Sequence, residues 1–112
     1  MSDSSCLIVI PTYNEKENLP QVLLQIHSHL SKAHCLIVDD GSPDGTGSLA
    51  DQIAQQDARV FVLHRSEKAG LGKAYLAGFA WALNRDYEYI FEMDADLSHP
   101  AEALPRLLNA VQ

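Results

Sequence analysis

The sequence predicts an α/β fold of the Rossmann-like type, in which a parallel sheet carries helices on both faces. Four short runs of β-branched and other apolar residues alternate with stretches whose apolar residues recur at helical spacing. The connections between these segments are short, as in sheets built from right-handed β-α-β units. Acidic residues follow three of the four apolar runs, at the strand ends where open α/β sheets bind ligands.

Length and composition limit the class of protein. The chain has 112 residues, 46% of them apolar, which predicts a single domain over residues 1–112. Fifteen acidic against eight basic residues give a net charge of −7, which argues against binding nucleic acid through general electrostatic attraction. An anionic ligand therefore needs a metal ion or helix N-termini. Cys6 and Cys35 lack metal-binding spacing, so we expect buried free thiols.

Targeting and membrane signals are not apparent in the sequence. Residues 1–5 lack the basic residues of a signal peptide, and the apolar run that follows is too short for one. No stretch approaches the roughly 20 apolar residues that span a bilayer. We therefore expect a soluble, cytoplasmic protein.

The first two strands are predicted at residues 6–10 and 34–38, both read as buried on two faces. Pro11 is expected to end the first strand and begin a loop. Asn18 is a candidate N-cap for the first helix, and Pro20 fits its first turn.

The second half of the chain continues the alternation. A glycine-rich loop over residues 41–47 leads into a second helix, and residues 59–63 form a third strand. Helix three carries a stripe of mostly small residues that lets its backbone approach the sheet: Ala74, Ala77, Gly78, Trp81 and Ala82. The fourth strand is predicted at residues 89–93, and a last helix is predicted after Pro100.

The commonest doubly wound strand order, 3-2-1-4, makes the first and fourth strands neighbours where the winding reverses. A crevice at that point brings together residues 11–15, Asp39 with Asp40, and residues 94–96. Two carboxylates at i and i+2 of an extended chain repel unless a cation or a shared proton lies between them. Asp94 and Asp96 suit Mg²⁺ completed by substrate phosphates.

Other carboxylates at the crevice suit a nucleoside. Glu15, Asp39 and Asp40 accept hydrogen bonds when ionised and so match the N–H and O–H groups of a base or ribose. The alternative is that acids here cap helices, a role open to Asp40, Asp44 and Asp96.

Two further groups of residues are weighed against simpler roles. Gly70 and Gly72 match neither common phosphate-loop pattern and indicate a tight entry into a helix, although Lys73 is within reach of a phosphate there. The histidines have no ligand spacing, and we expect them at the solvated surface: His27, His29, His34, His64 and His99.

Four motifs together point to a family. They are I-P-T-Y-N-E at residues 10–15, V-D-D-G-S-P-D-G-T at 38–46, G-L-G-K-A-Y at 70–75 and F-E-M-D-A-D-L-S-H-P at 91–100. With them the chain resembles the N-terminal half of the family 2 glycosyltransferases, which have the GT-A fold. Among these it is similar above all to polyprenol-phosphate mannosyltransferases of the dolichol-phosphate mannose synthase type.

The resemblance implies that mannose passes from GDP-mannose to a polyprenyl monophosphate, with inversion and with Mg²⁺ or Mn²⁺, at the cytoplasmic face of a membrane. The residues it assigns to the nucleotide sugar are Pro11, Tyr13, Glu15, Asp39, Asp40, Lys73, Asp94, Ala95 and Asp96. Asp94 and Asp96 form the Asp-x-Asp element that reaches the metal and the diphosphate. Ser98 is a further candidate ligand, although some relatives carry a longer amide side chain there.

The resemblance also implies that an acceptor-binding half is missing, because relatives continue for about as many residues again. We therefore expect self-association along the edge of the strand at residues 89–93, or marginal stability. One alternative is a module that binds nucleotide and metal without turnover. Another is a phosphatase-like site with Asp94 as nucleophile, which needs a downstream Lys that residues 97–112 do not contain.

Overall fold

Four parallel strands form one sheet in a computed structural model that describes residues 6–66, 71–93 and 95. The strands are β1 (Cys6–Thr12), β2 (His34–Asp39), β3 (Val60–His64) and β4 (Tyr89–Glu92). Their order across the sheet is β3-β2-β1-β4, which confirms the predicted order. The helix predicted after Pro100 and the side chains of Asp94, Asp96, Ser98 and His99 lie outside the described residues.

Three helices connect the strands: α1 (Leu19–His29), α2 (Thr46–Gln56) and α3 (Leu71–Leu83). Apolar residues of α1 and α2 pack on one face of the sheet, and those of α3 pack on the other. Right-handed crossovers place helices on opposite faces when the strand order reverses direction, as it does at β1. The predicted architecture is therefore confirmed. Asn18 occupies the predicted N-cap, but its side chain does not cap α1.

The core follows the pleat of β1, every residue of which is buried. Cys6, Ile8 and Ile10 face α1 and α2, whereas Leu7 and Val9 face α3. This alternation is expected for a central strand covered on both sides, since successive side chains point to opposite faces.

Close packing of α3 depends on its small residues, as predicted. Ala74 and Ala82 are 1% and 2% exposed against the sheet. A Cβ added at Gly78 would come within 2.5 Å of a Val9 methyl carbon, which is closer than real Cβ contacts. The missing side chain therefore sets how near the helix lies to β1.

Pro11 lies inside β1, so the prediction that it ends the strand is wrong. β1 continues to Thr12, which pairs with Asp39 of β2. The amide of Met93 donates to the carbonyl of Val9 (3.0 Å), so the backbone polar groups of Val9 point toward β4. Backbone direction alternates along a strand, so Pro11, two residues later, points toward β4 as well. Proline therefore costs β1 no bond to β2, and it ends the pairing with β4 instead.

The two cysteines and two of the histidines are buried or half-buried. Cys6 and Cys35 are buried thiols, as predicted, and burial raises the pKa of the Cys35 thiol. A solvated position is wrong for His27 and His34, since His27 Nε2 lies 3.0 Å from the Ala33 carbonyl and His34 Nδ1 lies 2.6 Å from the Tyr87 hydroxyl. Within the described part of the chain, no helix has the length and apolar character to cross a membrane.

Candidate functional site

Two loops meet at the carboxyl end of the central strands. The first loop, residues 13–18, joins β1 to α1, and the second loop, residues 40–45, joins β2 to α2. Because β1 and β2 are parallel neighbours, both loops leave the same edge of the sheet. This is the edge at which open α/β sheets bind ligands.

Hydrogen bonds fix the first loop onto the second. Three successive backbone amides of the first loop donate to side chains in or next to the second: Asn14 to Ser42 Oγ (2.9 Å), Glu15 to Thr46 Oγ1 (3.0 Å) and Lys16 to Asp44 Oδ2 (3.2 Å). Thr46 in turn donates its hydroxyl to Asp44, so the bonds form a connected network. The two loops therefore behave as one preorganised unit.

Left-handed backbone positions allow the loops to take this shape. Asn14 has φ of 57°, and Gly41 and Gly45 have φ of 76° and 94°. Asn and Gly are the residues that adopt this conformation at low cost. Asn14 therefore allows a sharp turn in the first loop, and Gly41 and Gly45 allow one in the second. The turn in the second loop brings Asp44 to the start of α2.

Asp44 has the structural role that the sequence left open as helix capping. Its Oδ1 accepts from the Thr46 amide (2.9 Å) at the first residue of α2. The hydrogen bond from the Thr46 hydroxyl lowers the pKa of Asp44, and the amides of Thr46 and Lys16 lower it further. Asp44 thus joins the start of α2 to the first loop.

Asp39 is the buried centre of the junction, with 2% of its surface exposed. Its Oδ1 accepts from the hydroxyls of Thr12 (2.8 Å) and Ser42 (2.6 Å), and its Oδ2 accepts from the Ser42 amide (3.1 Å). A Cβ at Gly47 would lie 3.0 Å from Oδ2, so glycine there makes room for the carboxylate. Asp39 is held by the protein itself and orders the end of β2.

Asp40 lies in a different environment from its neighbour. It is 5% exposed, and its Oδ1 lies 3.5 Å from Nη1 of Arg65, the residue that follows β3. Arg65 also donates its backbone amide to the Asp39 carbonyl (2.7 Å). The end of β3 therefore joins the site through Arg65, which the sequence motifs did not single out.

The other predicted residues from β1 and the first loop lie at the same edge. Pro11 is buried near the end of β1, and Tyr13 is half-buried. Glu15 is half-buried as well, and its Oε2 accepts from the Asn18 side chain (3.1 Å). The structure thus brings Pro11, Tyr13 and Glu15 beside Asp39 and Asp40, as the predicted strand order requires.

The remaining predicted residues lie further along the chain. Lys73 is exposed in the first turn of α3. Ala95 is 3% exposed and packs with Met93 in the core beneath α1 and α2. Asp94 and Asp96 flank Ala95 in sequence but are not among the described residues, nor is Ser98.

No group of three metal-binding side chains occurs within residues 6–66, 71–93 and 95. The predicted metal ligands fall outside those ranges, so they remain a prediction. Sequence reasoning missed the hydroxyl partners Thr12, Ser42 and Thr46. The sequence did contain a signal for these contacts. Hydroxyl residues beside the glycines and acids of a loop that leads into a helix are typical side-chain partners of backbone amides.

Comparisons with known proteins agree with this architecture. A model of the family described as Glycosyl transferase family 2 matches residues 7–112. The chain is 59% identical over 106 residues to a polyprenol monophosphomannose synthase of Mycolicibacterium smegmatis, covering 94% of this chain and 40% of the relative. It is 55% identical over 106 residues to an undecaprenyl-phosphate mannosyltransferase of Micrococcus luteus, covering 95% of this chain and 44% of that protein.

Solved structures show the same fold. A mannosyltransferase from Pyrobaculum calidifontis, solved in complex with GDP-Man and Mn²⁺, superposes with a TM-score of 0.76 at 26% identity, over 96% of this chain and 31% of that one. S. aureus TarS residues 1–349 give the same TM-score at 18% identity, over 99% of this chain and 32% of that one, which shows the fold alone. This chain therefore spans less than half the length of the proteins it matches.

Proposed function

Because this chain belongs to glycosyl transferase family 2, we propose that it is the nucleotide-sugar-binding part of an enzyme that transfers mannose from GDP-mannose to a polyprenyl phosphate. The joined first and second loops at the carboxyl edge of β1 and β2 carry this proposal, since they form a preformed, acceptor-lined edge at the predicted crevice. The names of the two relatives above 50% identity support the mannosyl donor and the polyprenyl phosphate acceptor.

The nucleoside lies against the loops in this proposal. Tyr13 packs against the base, while Glu15 and Asp40 accept its N–H groups or the ribose hydroxyls. Asp39 supports the site indirectly, because it holds the end of β2 and Ser42 in place. Pro11 completes the pocket floor, and Lys73 on α3 attracts the phosphates.

A divalent metal fits the residues that follow β4. Met93 is the last described residue that bonds to β1, and Asp94 and Asp96 are one and three residues further along the sequence. Two carboxylates completed by phosphate oxygens are a donor set that suits Mg²⁺ or Mn²⁺. When bound, the ion would stabilise negative charge on the departing diphosphate. Asp94 and Asp96 would hold it, and Ser98 is a further candidate.

The transfer itself needs little from this part of the chain. An oxygen of the polyprenyl phosphate forms a bond to the anomeric carbon while the bond to the GDP oxygen breaks, with inversion. The attacking oxygen is already anionic at neutral pH, so no general base is required. In this proposal the acceptor lies at the cytoplasmic face of a membrane. The part of the relatives that this chain does not cover would bind it.

Calorimetry tests the proposal on the chain itself. We expect GDP to bind, to bind more tightly with Mn²⁺, and to lose the metal-dependent part of its affinity in Asp96→Asn. Absence of GDP binding at any Mn²⁺ concentration refutes the nucleotide site. Binding without mannosyl transfer to polyprenyl phosphate favours the alternative, a nucleotide- and metal-binding module.

In a version that spans the full length of the relatives, Asp96→Ala abolishes transfer. Unchanged turnover in that variant removes the role given to Asp96.

A further inference from the structure

Asp40 and Arg65 form a buried ion pair that does not close into a hydrogen bond. Asp40 Oδ1 and Arg65 Nη1 are 3.5 Å apart, and the side chains are 6% and 22% exposed. Neither atom has a hydrogen-bond partner among the described residues. Charge-assisted hydrogen bonds are usually about 2.7–2.9 Å long, so each atom retains unused bonding capacity.

The backbone around the pair is fixed on both sides. The Asp40 amide donates to the Thr12 carbonyl (3.1 Å), and the Arg65 amide donates to the Asp39 carbonyl (2.7 Å). Gly41, in the left-handed conformation, lies so close to the end of β3 that a Cβ there would be 3.2 Å from the Ser66 carbonyl oxygen. The ends of three neighbouring strands therefore determine where the two side chains lie.

A second arginine beside β3 forms a closed ion pair. Arg59 lies before β3 and makes two short hydrogen bonds to Asp57, from Nε (2.8 Å) and from Nη2 (2.6 Å). That pair is more exposed, at 38% and 26% of the side chains. The open geometry of Asp40 and Arg65 thus contrasts with a closed pair at the other end of the same strand.

Burial makes the open geometry costly. A buried carboxylate requires a compensating cation or hydrogen bonds, and removal of one partner from a buried pair leaves an uncompensated charge. Asp39 meets this requirement with three hydrogen bonds, whereas Asp40 has Arg65. An unsatisfied buried polar atom in a native protein calls for an explanation in function or in a missing partner.

We propose that Arg65 is a positioning residue of the nucleotide site, which holds the Asp40 carboxylate so that it accepts an N–H or O–H group of the nucleoside. In this proposal Oδ1 of Asp40 faces Arg65, and its second oxygen accepts from the ligand. The inference rests on the proposed function, and it adds β3 to the strands that build the site.

A double-mutant cycle tests the coupling, with GDP affinity measured by calorimetry in the presence of Mn²⁺. The variants are Asp40→Asn, Arg65→Met and the double variant. We expect Arg65→Met to weaken GDP binding about tenfold, and the double variant to be no weaker than Asp40→Asn within about threefold, because residues that act through one another are not additive. Arg65→Lys, which keeps the charge, should recover most of the affinity.

Arg59→Met is the matched control, since it removes an ion-paired arginine at the opposite end of β3. It should leave GDP affinity within about twofold of the wild type. If Arg65→Met fails to fold by circular dichroism, Arg65→Gln, which removes the charge and keeps a polar side chain, replaces it in the cycle with the same expected outcome.

The outcomes separate the two proposals. A wild-type chain that does not bind GDP refutes the nucleotide site and this inference together. A wild type that binds, with wild-type affinity in Arg65→Met or with fully additive losses in the double variant, overturns the inference alone.

Discussion

At the scale of the residue, Thr46 connects the two loops of the candidate site. Its side chain is fully buried, its Oγ1 accepts from the Glu15 amide, and its hydroxyl donates to Asp44. Loss of the hydroxyl would leave the Glu15 amide without this acceptor. Thr46 therefore links the stability of the fold to the shape of the site.

Thr46→Val keeps the shape of the side chain and removes its hydroxyl. We expect it to lower the free energy of unfolding by about 1–3 kcal/mol, because a partly buried donor loses its partner. It should also weaken GDP binding, since the first loop loses its central attachment. Urea denaturation and calorimetry measure the two effects. Ser48→Ala, at an exposed position of the same helix, should stay within about 0.5 kcal/mol of the wild type.

The ion pair of Asp57 with Arg59 gives a pH dependence. The hydrogen bond from Arg59 lowers the pKa of Asp57 from 3.8 to about 2. A carboxyl with a lowered pKa in the folded state contributes stability above its unfolded pKa and loses it as the pH falls through the folded value. The contribution of Asp57 is therefore complete above about pH 5 and is lost between about pH 4 and pH 2.

Asp57→Asn should thus be less stable than the wild type by about 1 kcal/mol at pH 6, a size limited by solvent screening of a partly exposed pair. The difference should shrink to near zero at pH 2. Urea denaturation across this pH range measures it. A difference that stays constant down to pH 2 contradicts the role given to Asp57.

Side-chain partners are what the sequence predicted least well at this scale. The motifs placed Asp39 and Asp40 at the end of a strand and Asp44 in the loop after it. They did not show that all four side-chain attachments to the first loop and β1 come from hydroxyl and carboxylate groups of residues 39–46. Which acid meets which amide depends on φ at Asn14, Gly41 and Gly45, and glycine permits many values of φ. The sequence could therefore locate the acids without assigning their roles.

At the scale of the element, α3 shows how side-chain size sets the distance between helix and sheet. Gly72 and Gly78 lie in the same helix, but only Gly78 faces β1 at close range. An alanine at Gly72 would meet nothing within 4 Å. The two glycines are thus a matched pair for testing packing against helix propensity.

Gly78→Ala should destabilise the fold by about 1–3 kcal/mol through overpacking against Val9. Gly72→Ala should instead stabilise it by up to about 1 kcal/mol, the helix propensity of alanine over glycine. Thermal and urea denaturation of both variants measure the difference. Equal effects of the two substitutions would mean that α3 does not approach β1 as closely as described.

Periodicity predicted every described element, and the errors fell at the ends. α1 begins after Asn18, as expected, because the apolar spacing and Pro20 both mark its start. β1 runs two residues past the predicted end. Proline interrupts a strand only on the side that its nitrogen faces, and the nitrogen of Pro11 faces β4 and not β2. That information comes from the register of three strands and is absent from a single segment.

At the scale of the whole molecule, the strand order was predictable because few arrangements of a β-α-β-α-β-α-β chain obey the handedness rule. The order places β4 at one end of the sheet formed by the described residues. Ile90 and Glu92 direct their backbone amides away from β1, since the Met93 amide bonds to Val9. This edge is where self-association of the chain is predicted.

Glu92→Pro tests that prediction, because Glu92 is exposed and proline at an outward-facing edge position blocks strand addition without breaking the ladder to β1. We expect sedimentation velocity to show concentration-dependent association of the wild type and less of it in the variant. Glu92→Ala, which keeps the amide, should associate like the wild type. A wild type that stays monomeric at all concentrations contradicts the prediction.

The proline in β1 also decides where β4 leaves the sheet. After the bond from Met93 to Val9, the next rung would need an amide hydrogen at residue 11, and Pro11 has none. Met93, which follows β4 and is the last described residue bonded to β1, is thus immediately followed in sequence by Asp94. The first loop, which we propose faces the nucleoside, begins two residues after Pro11, and the acids that we propose hold the metal begin one residue after Met93. Lengthening the helices or loops between β1 and β4 would leave both of these sequence distances unchanged.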